Sequence, residues 1–141
     1  MTYRQWYEEF GNRHRAVIGQ LAEESGEELI EYFLYENMRR LHPDFCPLYT
    51  RGEKCHDLEE LNCYLCGCPH FRYCDDGIDT VEGKVRYSLC AIDAKEGRRF
   101  ETEEAIHQDC SGCPLPHLSG FIRRHFDRDW AAVMAECEQC H

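Results

Sequence analysis

The sequence has few of the large apolar residues from which a protein core is usually built. Leu, Ile, Val and Phe together number 28 of the 141 residues, about 20% and near the level at which a chain struggles to form a hydrophobic core. It also contains no run of about 18 or more apolar residues, so we expect no membrane-spanning helix. Something other than apolar burial must help to stabilise the fold.

Positive charge is scarce as well. Only 16 Lys and Arg residues stand against 27 Asp and Glu residues, which gives a formal net charge of −11. A chain this acidic is poorly suited to bind nucleic acid or an anionic membrane, so neither is an expected partner. The N-terminal residues show no apolar signal segment, and we expect a cytoplasmic protein.

Cysteine is abundant, with eleven residues in the chain. The odd number would leave one thiol unpaired in a disulfide framework, and cytoplasmic thiols are usually reduced. Nine of the eleven lie between residues 46 and 117, a stretch that is poor in apolar residues. We therefore expect bound metal to supply much of the folding free energy of this stretch.

The hydrophobic pattern divides the chain into three regions. Residues 1–45 carry apolar side chains at helical spacing, and Ser25 with Glu28 forms a capping box that begins a second helix. Residues 84–92 alternate like a strand, and a turn before Arg98–Thr102 predicts a β-hairpin. Residues 118–137 return to helical spacing.

These regions predict an α-rich small domain. Helices at both ends would surround an irregular, metal-stapled, cysteine-rich region with one β-hairpin. We expect a single domain over residues 1–141, made of a helical N-terminal region (1–45), a cysteine-rich region (46–117) and a C-terminal helix (118–141).

The cysteines of the central region have the spacing of metal ligands. The pairs Cys63-x2-Cys66 and Cys110-x2-Cys113 place two thiolates on a tight turn, from which both can reach one metal from the same side. Further cysteines lie close by, which strengthens the prediction of metal binding. Cys90 is isolated on the predicted strand, and we expect it to pack as a small apolar residue.

Two cysteine strings resemble those of a known family. The family is the cysteine-rich small domain, a zinc-finger-like domain of anaerobic bacteria and archaea. The resemblance lies in two segments: Asn62-Cys-Tyr-Leu-Cys-Gly-Cys-Pro69, which is followed by Cys74, and Asp109-Cys-Ser-Gly-Cys-Pro-Leu-Pro-His117. The resemblance covers residues 46–117 and implies a metal-binding domain with no established general activity. Its matched positions give the candidate ligands: Cys46, Cys55, Cys63, Cys66, Cys68, Cys74, Cys110 and Cys113.

Eight thiolates fit either two cubane [4Fe-4S] clusters or two structural Zn²⁺ ions. Net charge does not separate the two, because a tetrathiolate zinc and an oxidised cubane with four thiolates both carry −2. Three features favour iron–sulfur. Candidate ligands precede proline, Cys66 and Cys68 are too close to serve one tetrahedral zinc easily, and aromatic residues nearby could exclude water from a cluster.

Histidines and the C-terminus offer further candidates. His56, His70 and His117 are either ligands or hydrogen-bond partners of the site. The terminal run Cys137-x2-Cys140-His141 formally matches a c-type haem attachment motif, but we do not expect a haem there. A terminal metal or redox dithiol, or an unliganded end, remain the alternatives.

Three functions follow from these features. The first is a small iron–sulfur protein for electron transfer or redox sensing, with an acidic surface that attracts a redox partner with a basic surface. The second is a zinc-binding structural or interaction module without chemistry of its own. The third is an enzyme with an open iron site near His56 or His117. An electron carrier or a binding module is favoured over an enzyme, and the sequence does not indicate the oligomeric state.

Overall fold

The computed structural model describes residues 1–140, which form helices and short strands around one apolar core. The helices are α1 (Tyr3–Gly19), α2 (Gly26–Tyr32), α3 (Tyr35–Leu41), α4 (Ser119–His125) and α5 (Trp130–Val133). The strands are β1 (Phe71–Tyr73), β2 (Asp79–Val81), β3 (Lys84–Arg86), β4 (Ser88–Cys90), β5 (Arg98–Glu101) and β6 (Ala105–Asp109). Short 3₁₀ helices cover Tyr49–Arg51 and Leu115–His117.

The strands form two sheets. β1 and β4 pair antiparallel, with Phe71 opposite Cys90. The second sheet has the order β2-β3-β6-β5, in which β3 and β6 run parallel and the other pairs run antiparallel. Between β3 and β6 the chain first forms β4, which pairs with β1 in the two-stranded sheet. It then returns to the four-stranded sheet as β5.

The predicted fold class was wrong. About 34% of the chain is helical and 17% is strand, and a two-stranded antiparallel sheet and a four-stranded mixed sheet replace the irregular region with one hairpin. The predicted hairpin between residues 84–92 and Arg98–Thr102 does not form either, because Tyr87 separates β3 from β4 and the two strands enter different sheets. Arg98–Glu101 pairs instead with Ala105–Asp109, one element later in the chain.

Helix starts follow the local sequence, whereas helix lengths do not. Ser25 and Glu28 form the predicted capping box, and Thr2 caps α1 in the same way. The predicted helix from Gly26 to Leu41 is broken at Leu34, which adopts extended backbone angles and pairs with Asn62. This long-range pairing within the chain brings the cysteine-rich loop against the helices.

The core is centred on that loop. Residues 61–65 are all buried, and Tyr64 and Leu65 have no exposed surface. The Tyr64 ring meets Phe33 edge to face at 4.8 Å and Phe126 stacked at 5.1 Å, so it joins the N-terminal and C-terminal helices. The apolar core therefore holds the backbone from which the cysteines project.

Candidate metal centres

The segment Cys66-Gly67-Cys68 is held by side chains from distant elements. Trp130 Nε1 donates to the carbonyl of Cys66 at 3.1 Å, and the Tyr7 hydroxyl donates to the carbonyl of Gly67 at 2.6 Å. The backbone is left-handed at Gly67 (φ +105°) and at Cys68 (φ +56°). Such conformations cost free energy and persist only where surrounding structure imposes them. The turn fixes the directions of the two thiols that flank Gly67.

A first group of four thiols forms on one side of this turn. Burial raises the pKa of Cys66 well above its ordinary value, and the neighbouring thiols of Cys63, Cys55 and Cys46 raise it further. Burial likewise raises the pKa of Cys63 to about 12, with contributions from Cys55 and Cys46. We call Cys46, Cys55, Cys63 and Cys66 the first thiol group.

Tyr49 lies beside the first thiol group with an unused hydrogen-bond donor. Its hydroxyl is buried and finds no hydrogen-bond partner within residues 1–140. Burial and the nearby thiols of Cys63, Cys46 and Cys66 raise its pKa, so the hydroxyl keeps its proton. An orphaned buried donor is costly. A thiolate or inorganic sulfide at this place would accept its hydrogen bond.

A second group of four thiols lies beyond Gly67. It consists of Cys68, Cys90, Cys110 and Cys113, which together border one small cavity. Burial raises the pKa of Cys110 to about 12, helped by the neighbouring thiols of Cys68, Cys113 and Cys90. Burial also raises the pKa of Cys68 to about 11. We call these four residues the second thiol group.

Cys90 lies in this group because of the sheet, whereas the sequence led us to expect it to pack as a small apolar residue; that expectation stays a prediction. It ends β4 opposite Phe71, which follows Cys68 by three residues. The backbone N–H of Ala94 points at Cys90 Sγ at 3.4 Å, the kind of hydrogen bond that stabilises a ligating thiolate. Cys110 and Cys113 approach from the other side on a tight turn closed by the hydrogen bond Cys113 N–H to Cys110 O, at 3.0 Å.

Cys74 does not join either thiol group, which corrects its prediction as a ligand. The structure joins it by a disulfide to Cys140, 66 residues away. The C-terminal segment reaches Cys74 because Tyr73 donates its N–H to Cys137 O and accepts from Gln139 N–H, both at 2.8 Å. Cys137 is buried and directs its thiol at the carbonyl of Cys68, so Cys137 and Cys140 do not pair with each other. His141, the third residue of the terminal motif, lies outside the described residues.

Two of the three candidate histidines lie at the edge of the first thiol group. His56 Nδ1 is 3.2 Å from Cys55 Sγ, and His117 Nε2 is 3.7 Å from the same sulfur. Burial lowers the pKa of His117 to about 4, so its ring is neutral near pH 7. His70 borders the small cavity of the second thiol group, and its ring packs against Phe121 and His125 in α4.

A cavity of about 770 Å³ borders both thiol groups. Cys55 and Cys66 of the first group and Cys68, Cys110 and Cys113 of the second all border it. Its remaining walls are mainly aromatic and imidazole rings, contributed by Tyr3, Trp6, Tyr7, His56, Phe71, Tyr87, His107 and His117. Groups bound to either set of thiols would thus share one largely apolar chamber.

In residues 1–140 no helix is both long and apolar enough to cross a membrane. No family model matches the chain, and neither a curated protein nor a solved structure is found to be similar to it.

Proposed function

We propose that the chain is a small iron–sulfur protein that holds two [4Fe-4S] clusters and acts in electron transfer or redox sensing. The observation that carries this proposal is the division of eight thiols into two groups of four on either side of Gly67. Four thiolates are the ligand set of one cubane. The first thiol group would hold one cluster and the second thiol group the other.

The spacing of the thiols supports cubanes over zinc. A tetrahedral Zn²⁺ with Zn–S bonds of about 2.3 Å brings its sulfurs to within about 3.8 Å of one another. Within residues 1–140, three metal-binding side chains come within 4.8 Å of one another only at Cys55, His56 and His117. No three thiols of either group meet this limit, so each group is more widely spread than a single zinc ion favours.

The surroundings fit a cluster in two further respects. The Ala94 N–H donates to Cys90 Sγ in the second thiol group, and the unpartnered Tyr49 hydroxyl would donate to a sulfur of a cluster bound in the first. Burial and hydrogen bonding of this kind set the reduction potential of an iron–sulfur centre. When bound, such a cluster accepts and releases one electron at a time, and the protein would exclude water from it.

The two groups are close enough to act together. Cys66 and Cys68 are two residues apart, and a chain of two residues spans at most about 7 Å. Both groups also border the same cavity. Two clusters held this way could exchange electrons with each other, which suits an electron carrier better than a pair of independent structural sites.

The exposed surface offers one place for a redox partner. Cys55 is an exposed residue of the first thiol group, and the exposed acidic residues Glu53, Asp57, Glu59 and Glu60 flank it in sequence. An acidic border around an electron exit attracts a partner with a basic surface and speeds the encounter. We place this function in the cytoplasm, where the nine free thiols would stay reduced; the Cys74–Cys140 disulfide is the exception within residues 1–140.

The proposal is tested by removing one ligand from each group. Cys63→Ser and Cys110→Ser should each lose about half of the iron, because each disrupts one group and leaves the other intact. Iron and acid-labile sulfide are counted in protein purified without oxygen. Zinc in place of iron in the unmodified protein, at about two ions per chain, would support the zinc-binding module instead.

A further inference from the structure

Cys55, His56 and His117 converge at one point at the border of the large cavity. Their ligand atoms all lie within 4.8 Å of one another. Cys55 Sγ is 3.2 Å from His56 Nδ1 and 3.7 Å from His117 Nε2. For a tetrahedral ion with metal–sulfur bonds of about 2.3 Å and metal–nitrogen bonds of about 2.05 Å, the sulfur and nitrogen atoms stand about 3.5 Å apart. The two observed distances lie on either side of this value.

Both imidazoles are fixed in the tautomer that leaves a lone pair facing Cys55. His117 Nδ1 lies 2.9 Å from the carbonyl oxygen of Asn62, and His56 Nε2 lies 3.3 Å from that of Cys110. A carbonyl can only accept, so these two nitrogens carry the hydrogens of the neutral rings. Metal-ligating histidines are oriented in this way, by a hydrogen bond from the other ring nitrogen.

The surrounding structure holds His117 firmly. Asn62 N–H donates to the carbonyl of His117 at 3.1 Å, so the two residues are joined twice. The Asn62 side chain is buried and bonded to the backbone of Ile30 and Tyr64. A preorganised, buried imidazole next to a thiol therefore exists before any ion arrives.

The three groups together offer a suitable ligand set for a cation. Two imidazole lone pairs and one sulfur face a common point, and the Cys55 thiol has a single hydrogen to share between the two rings. A divalent ion would satisfy all three, with release of that hydrogen as a proton. Thiolate and imidazole together favour zinc and its borderline neighbours over magnesium or calcium.

We propose that Cys55, His56 and His117 form a mononuclear site for a borderline divalent cation such as Zn²⁺, which shares Cys55 with the first thiol group and has a fourth position open to the cavity. All three ligands border the 770 Å³ cavity. Three protein ligands with one open position is the arrangement that binds water or a small substrate. In the cluster-bearing protein, Cys55 would bridge this ion and the first thiol group through a second sulfur lone pair.

The test counts zinc and iron in the same samples. Protein purified without oxygen is dialysed against limiting Zn²⁺, and both metals are measured for the unmodified chain and for His56→Ala and His117→Ala. His125→Ala, a change in α4 away from the cavity wall, is the control. We expect the unmodified chain and the control to retain about one zinc per chain that both ligand variants lose, with zinc affinity lowered at least about a hundredfold.

The two metals separate the outcomes. If His56→Ala retained as much zinc as the control, the proposed site would be overturned. His56 is half-exposed, so the His56→Ala result decides the test if His117→Ala does not fold. Unchanged iron in the histidine variants, with the extra zinc lost, would support it. A chain without iron that still shows histidine-dependent zinc would overturn the two-cluster proposal and leave this site standing.

Discussion

The Tyr7 hydroxyl donates a 2.6 Å hydrogen bond to the carbonyl of Gly67, the residue that separates the two thiol groups. Tyr7 is buried in α1, so a helix 60 residues away in sequence fixes the turn that directs Cys66 and Cys68 apart. The position of α1 and the geometry of the turn are therefore coupled.

Tyr7→Phe tests this link. Loss of the hydroxyl leaves a buried carbonyl without its partner and should lower the free energy of unfolding by about 1–3 kcal/mol. Tyr32→Phe, which removes a hydrogen bond to His42 far from the thiols, is the matched control. Urea unfolding measures stability, and the rate of iron release to a chelator should rise only for Tyr7→Phe. Equal rates of iron release in the two variants would show that the Tyr7 hydrogen bond does not influence the thiol site.

Gly67 is required by conformation and by space. Its backbone is left-handed, and a Cβ there would lie 3.1 Å from the Trp6 ring and 3.2 Å from the Trp130 ring. Gly67→Ala should therefore cost about 1–2 kcal/mol or more. Gly19→Ala meets no atom within 4 Å at the end of α1, and should stabilise by about 0.5–1 kcal/mol. Thermal unfolding of both variants shows the contrast, and a harmless Gly67→Ala would contradict the described turn.

Cys90 and Cys74 are predicted to exchange the roles that sequence spacing suggests. Cys90→Ser removes a member of the second thiol group, so the iron content should fall by about half. Cys74→Ser removes only the disulfide partner of Cys140 and should leave iron unchanged. Iron counted in the two proteins side by side decides the matter, and the reverse pattern would return Cys74 to the ligand set.

The Cys74–Cys140 disulfide ties the C-terminus to the end of β1. A crosslink over 66 residues reduces the freedom of the unfolded chain and typically contributes about 2–4 kcal/mol. Cys140→Ser should lower stability by that amount without loss of iron. Unmodified protein treated with a mild reductant should match the variant, because Cys140 is exposed. Undiminished stability in both samples would argue against the crosslink.

His14 should make the protein sensitive to acid. Burial lowers its pKa from 6.5 to about 4, so below pH 6.5 the unfolded chain takes up a proton that the folded chain refuses. The stability contribution is complete above pH 6.5 and is lost as pH falls toward 4, by about 3 kcal/mol. Urea unfolding measures how much the free energy of unfolding falls between pH 7 and pH 4. This fall should be smaller by that amount in His14→Gln than in the unmodified chain, and His125→Gln should behave like the unmodified chain. Parallel curves for all three proteins would contradict this role.

Local chemistry was predictable where it decides structure within a few residues. The capping box of Ser25 and Glu28 is confirmed, because both hydrogen bonds close over three residues. The helix break at Leu34 was not predictable in this way, since its cause is pairing with Asn62, 28 positions along the chain. The same limit applies to the sheets, whose parallel pair β3–β6 joins strands that the sequence separates by β4 and β5.

The same distinction between short-range and long-range contacts applies to the residues of the candidate site. The short-range pairs Cys63-x2-Cys66 and Cys110-x2-Cys113 lie in the thiol groups that their spacing suggests. Cys74 and Cys90 differ from expectation because long-range contacts place them: the β1–β4 pairing brings Cys90 toward Cys68, and the C-terminal segment covers Cys74. A lone cysteine at the end of a predicted strand, between two Cys-x2-Cys pairs in the sequence, was the available signal for Cys90.

The most direct test of the two-cluster account is an absorption spectrum of protein purified without oxygen, with iron, zinc and sulfide counted in the same sample. We predict a broad band near roughly 400 nm that bleaches on reduction, with about eight irons and eight sulfides per chain. A spectrum without visible absorption, from protein that carries zinc and no sulfide, would contradict the account.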